Sequence, residues 1–355
     1  MHCILVRDAL TGPLDNALRE RGGLTEVRRR SSGHPNHFGI RLEFCLRDGD
    51  TGHYAFNVGA ITKGGFEVQT EECVLKGIGK GSFFQLDCGK LKQSSESSFP
   101  SVTSDRLALV SVSGLSAFRP VYDALTSMGF YNLNPKIIRE LQKPQDGRLL
   151  KTAGENIASV IGHLAPQSIQ IIEEYLQTVV PMVHGVERKL IGSMETLEFR
   201  QEMAGSKHPW RFLAQNMSDG TLRALGVLTA LFQGDEGQVP SLIGIEEPET
   251  ALHPAAFGAL RDALQRAAEK TQIIVTSHSP DLLDSESVSA DSLLAVVANG
   301  GETRIAPVDG ASCDALRNNL FSAGELLRLN QLVPDPVLLE SQGLRHPDLF
   351  GESVE

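Results

Sequence analysis

The spacing of apolar positions changes several times along the chain. Residues 1–20 place them three to four apart, with a break at Gly12-Pro13. This predicts two short helices, with Pro13 in the first turn of the second and Gly22-Gly23 ending it. From residue 38 the period falls to two: Phe38, Ile40, Leu42 and Phe44 alternate with Gly39, Arg41 and Glu43. Short runs of the same kind at 54–58, 65–74, 82–86 and 107–112 are punctuated by Asp48-Gly49-Asp50 and Lys63-Gly64-Gly65. They predict an antiparallel meander. The serine-rich stretch 94–104 reads as a mobile loop.

After Gly114 the three-to-four spacing returns, over 118–128, 135–141, 156–164 and 168–179, and 183–198 alternates again. Two apolar runs, 241–247 and 272–278, end in polar residues, with a helical stretch at 255–270 between them. Strand, crossover helix, strand is a right-handed βαβ unit whose parallel strands are expected to be buried between helices. From Asp314 onward one helix and then Pro- and Gly-marked coil are predicted, and no internal repeat is visible.

Composition narrows the function classes. With 355 residues, 41% hydrophobic and 22% charged, the chain is globular and not disordered or fibrous. Apolar runs such as 107–112 and 273–275 fall well short of the ~20 residues that cross a bilayer. No leader pattern opens the chain, so a cytoplasmic protein without a membrane is expected. Five cysteines, Cys3, Cys45, Cys73, Cys88 and Cys313, form no CxxC. They exclude a zinc ribbon and read as reduced, mostly buried thiols. A net charge of −11 excludes a generic nucleic-acid coat. The one basic cluster, Arg19, Arg21, Arg28, Arg29 and Arg30, is read as a solvated turn or as a local DNA patch.

Three segments carry chemistry. Ser241-Leu242-Ile243-Gly244-Ile245-Glu246-Glu247-Pro248-Glu249 delivers adjacent carboxylates at the end of an apolar strand, where open α/β sheets bind ligands. Glu246 can hold a Mg²⁺-bound water, and Glu247 can polarise an attacking water beside a phosphate. Thr276-Ser277-His278 ends the second apolar strand, and His278 can donate to a γ-phosphate. In Asn216-Met217-Ser218-Asp219-Gly220-Thr221-Leu222-Arg223, Ser218 can cap a helix whose N-terminus offers amides and a positive dipole end to an anion. Gly220 would let the backbone approach that anion. Each segment alone also reads as an ordinary turn, local histidine or cap.

In this order and spacing the segments resemble the ATP-binding-cassette heads of the SMC and RecF type, in particular compact AAA-family ATPases grouped with prokaryotic defence genes. In that resemblance residues 217–221 stand for the ABC signature, with Ser218, Asp219, Gly220, Thr221 and Arg223 on the nucleotide. Residues 241–247 stand for Walker B, with Glu246 on the metal and Glu247 as catalytic carboxylate. Thr250-Ala251-Leu252-His253-Pro254 stand for the D-loop, with Thr250 and Ala251 near the nucleotide, and His278 stands for the switch histidine. Residues 154–158 and 179–181 resemble the helical segment of these ATPases.

The resemblance implies an α/β ABC head with a P-loop NTPase-like core. Residues 1–37 form a leading helix and basic turn, 38–114 an antiparallel β lobe and 115–204 a helical insert. Residues 205–310 are the catalytic α/β lobe, and 311–355 are a C-terminal helix and tail. It implies ATP and Mg²⁺, homo- or heterodimerisation of heads, and a DNA-linked task such as repair or phage defence. DNA and an effector nuclease subunit are the further partners expected, since the tail is too short for a nuclease domain of its own.

The sequence departs from the pattern in three places. Glu246 stands where many ABC proteins have Asp, as is common in the compact group. The family's Mg²⁺-contacting Gln has no counterpart that the sequence identifies. No G-x-x-x-x-G-K-[ST] occurs, and the nearest cluster, 76–82, reads as a hairpin turn. Residues 1–10 look like the helix that follows a P-loop. The expectation is a mis-assigned or truncated start with strand and P-loop upstream. The alternative is a degenerate regulatory or scaffold subunit that lends its signature to an intact partner. A chain without that strand should expose an apolar sheet edge. A metal-dependent nuclease using Glu246, Glu247, Glu249 and Asp281, and a transporter subunit, are weaker alternatives.

Overall fold

The computed structural model describes residues 2–28, 36–62, 64–77, 81–203, 205–206, 208–234, 239–285, 288–299, 302–344 and 349–350. The chain divides into two compact units: Met1–Met128 with Ala298–Arg304 and Val337–Glu355, and Gly129–Val297 with Ile305–Pro336.

The first unit opens with helices α1 (His2–Thr11), α2 (Leu14–Arg19) and α3 (Leu24–Val27). Pro13 is the cap before α2, not a residue of its first turn. Five strands follow, β1 (His37–Cys45), β2 (Thr51–Ala60), β3 (Phe66–Lys76), β4 (Ser82–Asp87) and β5 (Lys90–Ser94), paired antiparallel in chain order. The expected meander is present, with β5 added. Residues 78–80 of the Gly/Lys cluster lie outside the described residues, but Leu75 pairs with Ser82 across it, as a hairpin requires. The unit closes with α4 (Ala108–Val112) and α5 (Arg119–Thr126). Its core includes Leu5, Leu14, Tyr54, Phe56, Phe84 and Phe118.

Helix α4 corrects the strand expected at 107–112. The Glu71 carboxylate on β3 accepts from the amides of Ala108 (2.6 Å) and Leu109 (2.9 Å). A distant side chain thus satisfies the free N–H groups that open a helix, a signal that periodicity does not carry. The thiols also differ from expectation. All five are free, but only Cys73 is buried; Cys45 and Cys88 are exposed at a strand end and a turn. Arg19 pairs with Asp15 and Arg21 with Asp8, so part of the basic cluster is locally neutralised. Arg29 and Arg30 lie outside the described residues.

The second unit begins with β6 (Gly129–Tyr131), α6 (Pro135–Arg139), α7 (Ile157–Ile161) and α8 (Pro166–Val179). Strands β7 (Val183–Ile191), β8 (Met194–Gln201) and β9 (Trp210–Leu213) form an antiparallel sheet. Then come α9 (Asp219–Phe232), β10 (Leu242–Glu246), α10 (Phe257–Ala268), β11 (Gln272–Thr276) and α11 (Pro280–Leu283). Strands β6, β10 and β11 form one parallel sheet in the order β11-β10-β6. The predicted βαβ unit is therefore present, and a short strand missed at 129–131 extends it. Helix α9 is buried along most of its length in a core with Ile243, Ile245, Phe199 and Leu260.

The expected burial of both strands holds for β10 alone. β11 alternates between exposed and half-buried residues, and Ile274 is 48% exposed. Among the described residues, no strand pairs with the far edge of β11. Among the described residues, strands β12 (Leu294–Asn299) and β13 (Glu302–Pro307) pair with each other. Among the described residues the tail holds three helices, α12 (Gly310–Arg317), α13 (Ala323–Arg328) and α14 (Pro336–Leu344), where one had been expected. Helix α13 starts at a full capping box between Ser322 and Glu325, which stabilises a helix too short for periodicity to show.

Candidate functional site

All three parallel strands run out at one end of the sheet. β6 is followed by Asn132, β10 ends in Glu246-Glu247, and β11 leads through Ser277 to His278. The register sets Glu246 opposite Thr276, and the Glu247 amide donates to the Thr276 carbonyl at 2.9 Å. This end of an open α/β sheet is where ligands collect, because the crossover connections leave a crevice there.

Each acidic side chain has a different local partner. Asn132 Nδ2 donates to Glu246 Oε2 at 2.7 Å. Thr250 Oγ1 donates to Glu247 Oε2 at 3.2 Å. Both carboxylates are exposed. Glu249 is 8% exposed and accepts from Ser277 Oγ at 2.5 Å. Asp281 pairs with Arg328. The four acids of the nuclease alternative thus have separate partners, and among the described residues no group of three or more His, Cys, Asp or Glu is arranged to hold a metal ion. The turn after Glu247 is tight. Glu247 (φ 42°) and Ala251 (φ 68°) both occupy the left-handed region, which a side chain adopts at a cost.

Helix α9 approaches the same turn. Ser218 caps it: the Thr221 amide donates to Ser218 Oγ at 3.1 Å, and the two hydroxyls lie 2.8 Å apart. Ser218 and Asp219 are exposed, whereas Thr221 is buried within the cap. A Cβ on Gly220 would stand 2.7 Å from the Ala251 carbonyl oxygen. Glycine is therefore required there by contact within the chain, and not only by closeness to an anion.

Arg223 departs furthest from the sequence reading. It is 5% exposed and is not presented to a ligand. Its Nη1 donates to the Leu133 carbonyl, and its Nη2 donates to the carbonyls of Glu246 and Glu247, both at 2.8 Å. One guanidinium therefore ties the segment after β6 and the acidic turn after β10 to α9. Burial pushes its pKa down from the ordinary value, while the charges of Glu247, Glu249 and Glu246 oppose that shift. Arginine stays protonated in any case. The Arg223 role is structural: it holds the main chain beneath the carboxylates.

Three residues of the site escaped the sequence reading. Asn132, just after β6, donates to Glu246. Its only sequence signal is a polar residue after the short apolar run Gly129-Phe130-Tyr131. Ser277 holds Glu249. Arg139, the last residue of α6, donates through Nη2 to the Met217 carbonyl at 2.9 Å and to Asp219 Oδ1 at 2.5 Å. The structure thus brings together Glu246, Glu247, Thr250, Ala251, Gly220 and Arg223. His278 is exposed beyond the end of β11.

Comparisons with known proteins bear on the fold. Residues 183–284 match the family described as "AAA domain, putative AbiEii toxin, Type IV TA system". The chain is similar to ABC transporter A family member 12 of Arabidopsis thaliana, 25% identical over 236 residues. The match covers 64% of this chain and spans about a fifth (20%) of that relative. A solved Smc head bound to the C-terminal winged-helix domain of ScpA superposes with a TM-score of 0.50, at 10% identity, over 88% of this chain and 87% of that one. The Smc head of Pyrococcus furiosus gives 0.49 at 9% identity, over 90% and 89%. Among the described residues, no helix is long and apolar enough to cross a membrane.

Proposed function

We propose that the chain is an ABC- and SMC-like ATPase head of the AAA type that works as one half of a nucleotide-gated pair of heads. The observation that carries this reading is the convergence of Asn132, Glu246-Glu247 and the start of α9 at one sheet end. When bound, Mg²⁺-ATP supplies the phosphoryl group and the metal charge. In this reading Glu246 and Asn132 would be the groups toward the metal, Glu247 would polarise a water, and His278 would be the hydrogen-bond donor toward a phosphate. Ser218 and the amides of Asp219 and Gly220, at the exposed start of α9, would bind phosphates held by an opposite head. Thr250 and Ala251 keep the acidic turn in place. The role of Arg223 is to position the main chain, not to bind nucleotide.

The residues present fit the water-activating and signature sides of such a site. They do not fit the phosphate cradle, since no P-loop pattern occurs in residues 1–355. In this reading the cradle comes from another segment or another chain. Among the described residues no strand pairs with the far edge of β11, which would leave room for a further strand beside His278. A DNA-linked task, in repair or phage defence with an effector nuclease, belongs to the same proposal through the SMC-like fold.

The test is light scattering and ATP turnover on the protein isolated from its native locus with any chain that accompanies it. Mg²⁺-ATP should drive association of heads. Glu247→Gln should abolish turnover and trap the associated form, and Ser218→Arg should prevent association. ATP turnover that Glu247→Gln leaves unchanged would refute the assignment. Normal partner binding without any nucleotide binding would favour the scaffold reading.

A further inference from the structure

We propose that Arg139 is a charge-compensating positioning residue. By neutralising Asp219, it makes the acidic first turn of α9 compatible with a polyphosphate anion. This rests on the reading that α9 faces the phosphates of a nucleotide held by a second head.

The placement of Arg139 is built in. Asn134 caps the short helix α6, its side chain accepting from the Lys136 amide at 3.0 Å. Helix α6 packs directly on α9. The close approach is made at Gly226 on α9, where a Cβ would stand 3.0 Å from Leu133 and 3.2 Å from Ile138. This crossing carries Arg139, at the end of α6, to the N-terminus of α9.

Asp219 sits in the first helical turn of α9. A carboxylate there suits the helix dipole but repels an incoming phosphate, as Coulomb's law requires at such range. A guanidinium 2.5 Å away cancels that charge. Only Nη2 of Arg139 is engaged; among the described residues its Nη1 and Nε hold no hydrogen bond. The side chain is 30% exposed, so the rest of the planar fork remains open to a phosphate oxygen. The pair is therefore both a neutralised acid and a partly unfilled anion fork at the same helix start.

The test compares Mg²⁺-ATP-dependent association of heads in the native preparation across four variants, with calorimetry to follow folding. R139A should weaken association by about tenfold or more, by the charge left uncompensated. D219N should tighten association. The double variant R139A/D219N should recover most of the loss seen in R139A, and R139K should lie between wild type and R139A. A double variant as weak as R139A would show that Arg139 acts only through the Met217 carbonyl, and overturns the proposal. So does an R139A variant that associates like wild type. Absence of ATP-dependent association in the wild type would instead overturn the underlying reading of the site.

Discussion

Replacing Arg223 by methionine is the sharpest probe of how the site is held together. Methionine keeps most of the length and volume of the stem, so the change removes the hydrogen bonds and the charge with little cavity. Three main-chain carbonyls lose their donor: Leu133, Glu246 and Glu247. A hydrogen bond from a charged group contributes about 1.5–3 kcal/mol. The two carbonyls at the acidic turn adjoin exposed residues and recover part of this from water. The carbonyl of Leu133, itself 1% exposed, recovers less. Loss of the cation also leaves Glu246, Glu247 and Glu249 repelling one another. The sum is about 3–5 kcal/mol, the usual cost of removing one partner from a buried charged network. That corresponds to a fall in Tm of roughly 10 °C for a domain near two hundred residues. Differential scanning calorimetry should show the loss. R223K, which keeps the charge but not the fork, should lose about half as much. R223M stable to within about 1 kcal/mol of wild type would refute the clamp.

Four further outcomes follow from the geometry. Burial raises the Glu71 carboxyl to about 7 against a usual 4.5, despite its contacts with two amides and Tyr54. The folded state therefore binds the extra proton between those values, and stability should fall as pH rises from about 5 to 7, by up to about 3 kcal/mol. Urea titrations should show this slope in wild type and its absence in E71Q. G220A places a methyl against the Ala251 carbonyl and should cost about 1–3 kcal/mol, with loss of any ATP turnover, read by calorimetry and phosphate release. G324A sets a methyl against the Pro280 carbonyl and the Asp284 side chain. It should loosen α13 from α11, lowering Tm by several degrees at about 1–3 kcal/mol, and proteolysis should then cut near residue 320 first. I274K charges the exposed edge of β11 and should reduce self-association in sedimentation without lowering Tm.

The meander, the long helices and the βαβ unit were legible because each is set by local periodicity. The failures share one cause. Residues 107–112 have the apolar run of a strand, but the group that makes them helical is Glu71, 37 residues away from Ala108. Strand β6 is three residues long and exists because β10 offers it a parallel partner. β11 reads as a buried strand from its own apolar residues; its exposure follows from its place at the edge, which depends on what pairs beyond it. Cys45 and Cys88 were misjudged in the same way, since burial belongs to the turn and not to the residue type.

The same distinction orders the site. The placement of Glu246, Glu247, Ser218 and His278 at the ends of elements was legible, because the sequence itself marks those boundaries. The residues that hold them were not. Arg223 looked like part of the signature because it lies within five residues of Ser218, yet its three acceptors come from 90, 23 and 24 positions away. Asn132 reaches Glu246 across 114 positions and Arg139 reaches Asp219 across 80. A motif records where the backbone turns toward a ligand. The residues that set its charge and angle are chosen by the crossing of α6, α9 and the sheet, and those crossings rest on glycines such as Gly220 and Gly226, whose meaning appears only when the opposing atom is known. The functional prediction therefore depends on Arg139 and Arg223 as well as on the carboxylates. Variants at these two arginines leave every motif residue in place and test whether the arrangement, and not the motif alone, makes the site.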